Sequence, residues 1–158
     1  MADSGIEKES LKEEMQNIVE EARMVIPGVQ MLFGFQTIAV FNDRFESLPL
    51  SGVYAHMTSL GLLVLSMALL MAPAGYHRLA ERGQVSRRMV KLSSRFITAG
   101  MVPLMLALTA DVYEVVLAAM DDSWIGVVSA AAALGVLLAL WFILPIGMRM
   151  KLGRPSRK

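Results

Sequence analysis

The sequence predicts an all-α protein, a four-transmembrane-helix bundle preceded by an acidic amphipathic helix. Three observations carry that prediction. First, 55% of the 158 residues are hydrophobic and only 18% charged, with a mean hydropathy of +0.53; a soluble domain of this length carries more charge. Second, the apolar residues fall in four blocks, 24–41, 53–72, 96–120 and 124–148. Each block approaches or exceeds the roughly 20 residues a helix needs to cross about 30 Å of hydrocarbon. Third, Leu11, Met15, Ile18, Ala22 and Val25 recur at steps of four and three and make one apolar stripe.

The stripe defines the first element. Ser10 and Glu13 have capping-box spacing, so a helix begins at Leu11. Glu13, Glu14, Glu20 and Glu21 lie mostly off the stripe. Anionic lipid repels such an acidic face, so this helix is expected to dock on protein. Pro27 then either opens the first spanning helix or kinks one long helix. Residues 42–51 form a short loop with Asp43, Arg44, Glu46 and Pro49. The second span is expected to end at Pro73, ahead of Gly75. A basic stretch follows over 78–95. Arg87, Lys91 and Arg95 are four apart there, so the third helix begins early with a basic face. Asp121, Asp122 and Ser123 make a tight turn into the last helix, and Pro145 lies near its end.

The chain thus divides into an amphipathic N-terminal segment (1–23), a transmembrane domain (24–148) and a basic tail (149–158). Fourteen of the fifteen Lys and Arg fall in the N-terminal segment, the long loop and the tail; Arg44 alone lies on the other side. By the positive-inside bias, both termini and the basic loop are cytoplasmic. The acidic residues of the N-terminal helix are then expected to meet Arg87, Arg88 and Lys91. No cysteine is present, which excludes disulfides, thiolate catalysis and Cys-ligated metal. A net charge of +1 gives no reason to expect nucleic acid. No cleavable signal precedes the first apolar block.

Chemistry concentrates in the third span. Gly100, Pro103, Ala107, Asp111, Glu114 and Ala118 share one helix face. Carboxylates in hydrocarbon are rare without a partner or a task, and small residues beside them allow close helix approach or leave room for water. One reading is a narrow ion or proton pathway through Asp111 and Glu114, which would titrate as a coupled pair. The other is structural pairing of either carboxylate with Arg44. His56, one turn into the second span, lies at a depth similar to that of Glu114 and could relay protons. A lone histidine without matched ligand spacing does not make a metal site. On the first helix, Gln30, Gly34 and Thr37 share a face expected to look inward and to hydrogen-bond between helices. Gly126/Ala130 and Ala131/Gly135 are small-xxx-small pairs in the last helix.

Three stretches carry a family likeness: Gly28-Val29-Gln30 with Leu32-Phe33-Gly34-Phe35, Phe41 with Arg44-Phe45, and Ala72-Pro73-Ala74-Gly75-Tyr76-His77-Arg78. Over about residues 20–145 the chain resembles an uncharacterised bacterial family of small four-helix membrane proteins, a domain of unknown function. The acidic helix and the basic tail fall outside that likeness. The resemblance implies the fold and a bacterial plasma membrane, and supplies no catalytic residue. Its motifs also bring Gln30, Tyr76, His77 and Arg78 toward one inner site, opposite an outer one of Arg44, Asp111 and Glu114. Tyr76-His77-Arg78 reads first as an interfacial aromatic anchor with positive-inside charge, ahead of that inner site.

No hydrolase nucleophile, phosphate loop or cofactor box is present, so neither an enzyme nor a cofactor is expected. The functional expectation is a homo-oligomeric ion or proton pathway in the lipid bilayer. The alternative is a non-transporting adaptor whose cytoplasmic segments bind a protein partner.

Overall fold

The computed structural model describes residues 10–80 and 86–152. Residues 1–9 of the acidic segment, 81–85 of the basic loop and 153–158 of the basic tail lie outside the described residues. Among the described residues there are helices and short turns and no strand.

Helix α1 spans Leu11–Ala39. It opens with the predicted capping box: the Glu13 N–H donates to Ser10 Oγ at 3.3 Å, and the Ser10 N–H donates to Glu13 Oε2 at 2.8 Å. The Ser10 backbone hydrogen bond holds the Glu13 carboxyl below its usual range. The contribution of this box is therefore present above the ordinary carboxylate pKa and fades as pH falls through the lowered one. Pro27 lies inside α1, so one helix carries both the amphipathic stretch and the first apolar block. The helix stops at Ala39, and its apolar part, 24–39, is only about 24 Å long at ~1.5 Å per residue. That is short of a ~30 Å hydrocarbon core. Among the described residues three helices, over Leu50–Leu79, Arg87–Met120 and Ser123–Lys151, are long and apolar enough to cross a membrane.

After α1, Asn42 caps the single turn α2 (Asp43–Glu46), its Oδ1 accepting from the Arg44 N–H at 2.9 Å. Helix α3 is Leu50–Ala80. It does not end at Pro73, which is buried within it; packed neighbours in a spanning bundle can absorb the backbone group a proline frees. Helix α4, Arg87–Met120, does begin early, with Ser86 Oγ accepting from the Met89 N–H at 3.1 Å. It ends on Asp121 in the left-handed region (φ 52°). Asp122 at once caps the next helix, accepting from the Trp124 and Ile125 N–H groups at 2.8 and 3.3 Å. That helix runs as α5 (Ser123–Leu138), a π-helical turn over Ala139–Ile143, and α6 (Leu144–Leu152). Pro145 has no N–H for the Trp141 carbonyl four residues earlier, and the Leu144 N–H reaches back to Ala139 O. The helix widens where the normal ladder is interrupted.

Packing follows the spacing of the buried residues. On α3 these are Gly52, His56, Ser59, Leu63, Ser66, Leu70 and Pro73. On α4, Ser93, Ile97, Gly100, Leu104, Ala107 and Glu114 are buried, with Asp111 half-buried between the last two. Both series step by four and three, the seam of helices that wrap left-handedly. The two helices run antiparallel, with Ser66 Oγ donating to Gly100 O at 2.9 Å and Ser59 Oγ lying 3.3 Å from Ala107 O. A side chain on Gly100 would put its Cβ 3.1 Å from Leu70, so glycine sets this close approach. Helix α1 lies against both, burying Met15, Ile18, Val29 and Gln36. Helix α5 packs on α4, with Gly126 tight against the Tyr113 ring, and leaves most of its surface open.

Candidate functional site

Five polar side chains from three helices meet in the bundle interior. Gln36 comes from α1, His56 and Ser59 from α3, and Asp111 and Glu114 from α4. Each occupies a step of its helix's inward stripe, so the packing that buries Leu63 and Leu104 also buries Gln36, His56, Ser59 and Glu114 and half-buries Asp111. His56 Nδ1 lies 3.0 Å from both Glu114 carboxylate oxygens. Gln36 Nε2 and Ser59 Oγ both donate to Asp111 Oδ1, and Gln36 Nε2 also reaches Ser59 Oγ at 3.3 Å. His56 and Ser59 are 0% exposed and Glu114 8%.

The site has an inventory of protons with one position open. An ionised carboxylate only accepts, so its contact assigns a proton to His56 Nδ1. When His56 Nε2 also carries a proton, moving the Nδ1 proton about 1 Å along the contact turns an imidazolium–carboxylate pair into a neutral pair without moving a heavy atom. On the far side of the ring, His56 Nε2 is buried with no hydrogen-bond partner, and so is Gln36 Oε1. Buried polar atoms without partners are uncommon and mark places where a proton or a small polar guest fits. The edge of Phe45 closes over the His56 ring, at 4.8 Å between centroids.

Access comes from one side. A cleft of about 440 Å³ is lined by Ala39, Asn42, Arg44, Phe45, Leu48 and Glu114 together with Val115, Ala118 and Ala119. It opens where α1 ends and α2 crosses the end of α4. In the other direction the seam is shut by Leu63 at 0% exposure, Leu104 at 6% and Leu70 at 2%. The predicted line of small residues does face inward, but Gly100 and Ala107 are filled by the neighbouring helix rather than by a continuous polar path.

Several expectations are corrected here. Arg44 pairs with neither carboxylate; its Nη1 donates to Ala118 O at 2.9 Å, covering an open carbonyl at the end of α4. Gln30 and Thr37 are exposed, and Thr37 Oγ1 bonds back to Phe33 O of its own helix. Gln36 is the inward polar residue of α1. Gln30 also does not converge with Tyr76, His77 and Arg78. His77 and Arg78 line a pocket with Met15 and Val19 of α1, and Gln30 is about 16 Å further along that helix. Tyr76 packs at the edge of the apolar core. The acidic residues of α1 make no ion pair with Arg87, Arg88 or Lys91; among the described residues the acid–base contact at ion-pair distance is His56–Glu114, an ion pair when His56 is protonated. Apolar contact docks this part of α1, with Met15 and Ile18 in one cluster with Met89 and Val90.

Gln36 and Ser59 were missed in the sequence, yet both had a signal. Continued in the same steps past Pro27, the stripe Leu11, Met15, Ile18, Ala22, Val25 reaches Val29, Leu32 and Gln36. Ser59 is three residues from His56 and seven from Ser66 on one face of α3. Among the described residues no group of three or more acidic or histidine side chains is arranged to hold a metal ion.

Over residues 5–145 the sequence matches the family described as "Family of unknown function (DUF6328)", and the chain belongs to that family. The match begins before the capping box, so it takes in the acidic amphipathic stretch that the sequence motifs had left outside. No curated protein matches the chain, and no solved structure matches it.

Proposed function

We propose, for this member of a family of unknown function, a multi-pass membrane protein that binds and releases a proton at the His56–Glu114–Asp111 cluster from one face of the bilayer. One observation carries this reading. A buried histidine contacts both oxygens of a carboxylate that lines an open cleft, while its other nitrogen has no partner. Intramembrane ionisable groups in such a setting are pathway or relay groups by default. Glu114 exchanges protons with the cleft, His56 accepts or returns one through Nδ1, and Asp111 is positioned by Gln36 and Ser59. No covalent step is involved, so no enzymatic activity is assigned.

In this reading α1 completes a four-helix transmembrane bundle, its short apolar part reaching only as deep as the cluster. Both termini lie on the cytoplasmic face of a bacterial plasma membrane, opposite the cleft. The second half of a pathway comes from a neighbouring copy packed on α5, where Ala131 and Gly135 leave a small-residue strip with nothing within 4 Å of Gly135. The closed seam at Leu63 and Leu104 favours a second reading, a non-transporting adaptor in which the same cluster only holds the helices together.

Proton flux separates the two. Purified protein is reconstituted in liposomes loaded with a pH-sensitive dye, and a pH step is applied. Wild type should dissipate the step faster than empty liposomes, and Asp111→Asn with Glu114→Gln should abolish the difference while the fold persists. Equal rates in wild type and double variant would leave the adaptor reading.

A further inference from the structure

We propose that the groove formed by Arg87, Arg88, Lys91, Leu92 and Arg95 is a binding site for the phosphate headgroup of an anionic membrane lipid. The groove has a volume of about 500 Å³ and opens at the start of α4. Its four cations are exposed, and among the described residues none of them makes an ion pair or a side-chain hydrogen bond. Arg87, Lys91 and Arg95 follow one another at i,i+4, where like charges on a helix repel. The obvious internal counter-charge was the acidic face of α1, and it is not used. Glu13 is turned back onto Ser10, and Glu14, Glu20 and Glu21 reach none of the four. Among the described residues the four cations thus have no counter-charge, which leaves the groove open to an anion from outside.

The depth of the groove selects the anion. Helix α4 is about 51 Å long at ~1.5 Å per residue, far more than a ~30 Å hydrocarbon core needs. Its apolar block begins at Phe96, directly after Arg95. The four cations thus occupy about 12 Å of helix immediately outside the hydrocarbon, at headgroup level. Leu92 adds an apolar side chain to the groove lining, which suits the glycerol end of a lipid better than a free ion. Three arginines offer planar forks that match phosphate oxygens. Each such cation near an anionic surface strengthens binding by about fivefold.

The test uses the full chain in an uncharged detergent, titrated with phosphatidylglycerol and, separately, phosphatidylcholine, with bound lipid counted by native mass spectrometry. Wild type should retain phosphatidylglycerol selectively. Arg88→Gln with Lys91→Gln should weaken that retention by on the order of tenfold or more. Arg149→Gln with Lys151→Gln removes the same charge from exposed positions at the same end of the bundle, and should leave it intact. All four substituted residues are exposed, so none of these changes disturbs the core. Equal loss in both pairs would mean a diffuse positive field and overturn the site. Undiminished binding in the first pair would overturn it directly. Displacement of the lipid by millimolar inorganic phosphate would overturn the assignment to a lipid.

Discussion

Helices α3 and α5 look alike in composition and differ in what surrounds them. The span that includes α5 has the highest mean hydropathy of the three, yet none of its most apolar stretch is buried; in α3 the share is 28%. The buried stripe of α3 holds a glycine, a histidine, two serines and a proline alongside two leucines. In water this would be reversed. In lipid, leucine gains little by leaving a medium as apolar as itself, so close packing and hydrogen bonds hold helices together. Helix α5 leaves most of its apolar surface open, a face that hydrocarbon would satisfy, and approaches α4 closely at Gly126. Helix α3 places its small and polar residues where another helix can use them.

The sharpest way to break this contrast is to leave a buried charge without its partner. His56→Ala removes the group that faces both Glu114 oxygens and should destabilise the bundle by about 3 kcal/mol. Adding Glu114→Gln should recover much of that loss. Thermal unfolding in detergent measures both, and equal stability of the single and double variants would show that the pair is not coupled.

Bulk on the two glycines comes next. Gly100→Leu must push Leu70 and Leu69 aside and should lower stability by about 1–3 kcal/mol. Gly135→Leu enters open space and should leave the monomer unchanged. If instead it alters the oligomeric state in size-exclusion chromatography, α5 has a protein neighbour rather than lipid.

The smallest effect sharpens the account of the seam. Ser66→Ala deletes the bond to Gly100 O and should cost about 0.6 kcal/mol, typical of interhelical hydrogen bonds in membranes. Ser94→Ala on the exposed face of α4 should cost nothing measurable by the same melt. A loss at Ser94 as large as at Ser66 would mean that burial does not distinguish them.

The sequence alone established the helical class, the capping box at Ser10, the early basic start of α4 and the inward face bearing Asp111 and Glu114. Each is local: a cap, a period or a charge run is written in neighbouring residues. The same steps of four and three also held the inward place of Gln36, but the stripe was followed only as far as Val25, short of Pro27. The sequence placed the end of the first apolar block at Phe41, close to the observed end of α1 at Ala39, but not the path by which the chain leaves it. That depends on how the chain turns into α2 over the cleft. Nor could it decide the partner of each carboxylate. Arg44 and His56 were both near enough in depth to Glu114. Only the antiparallel register of α3 on α4 puts His56 against it, while the turn of α2 sends Arg44 to the Ala118 carbonyl. Depth along a helix is a local quantity, whereas azimuth and partner are fixed by packing between helices far apart in the chain.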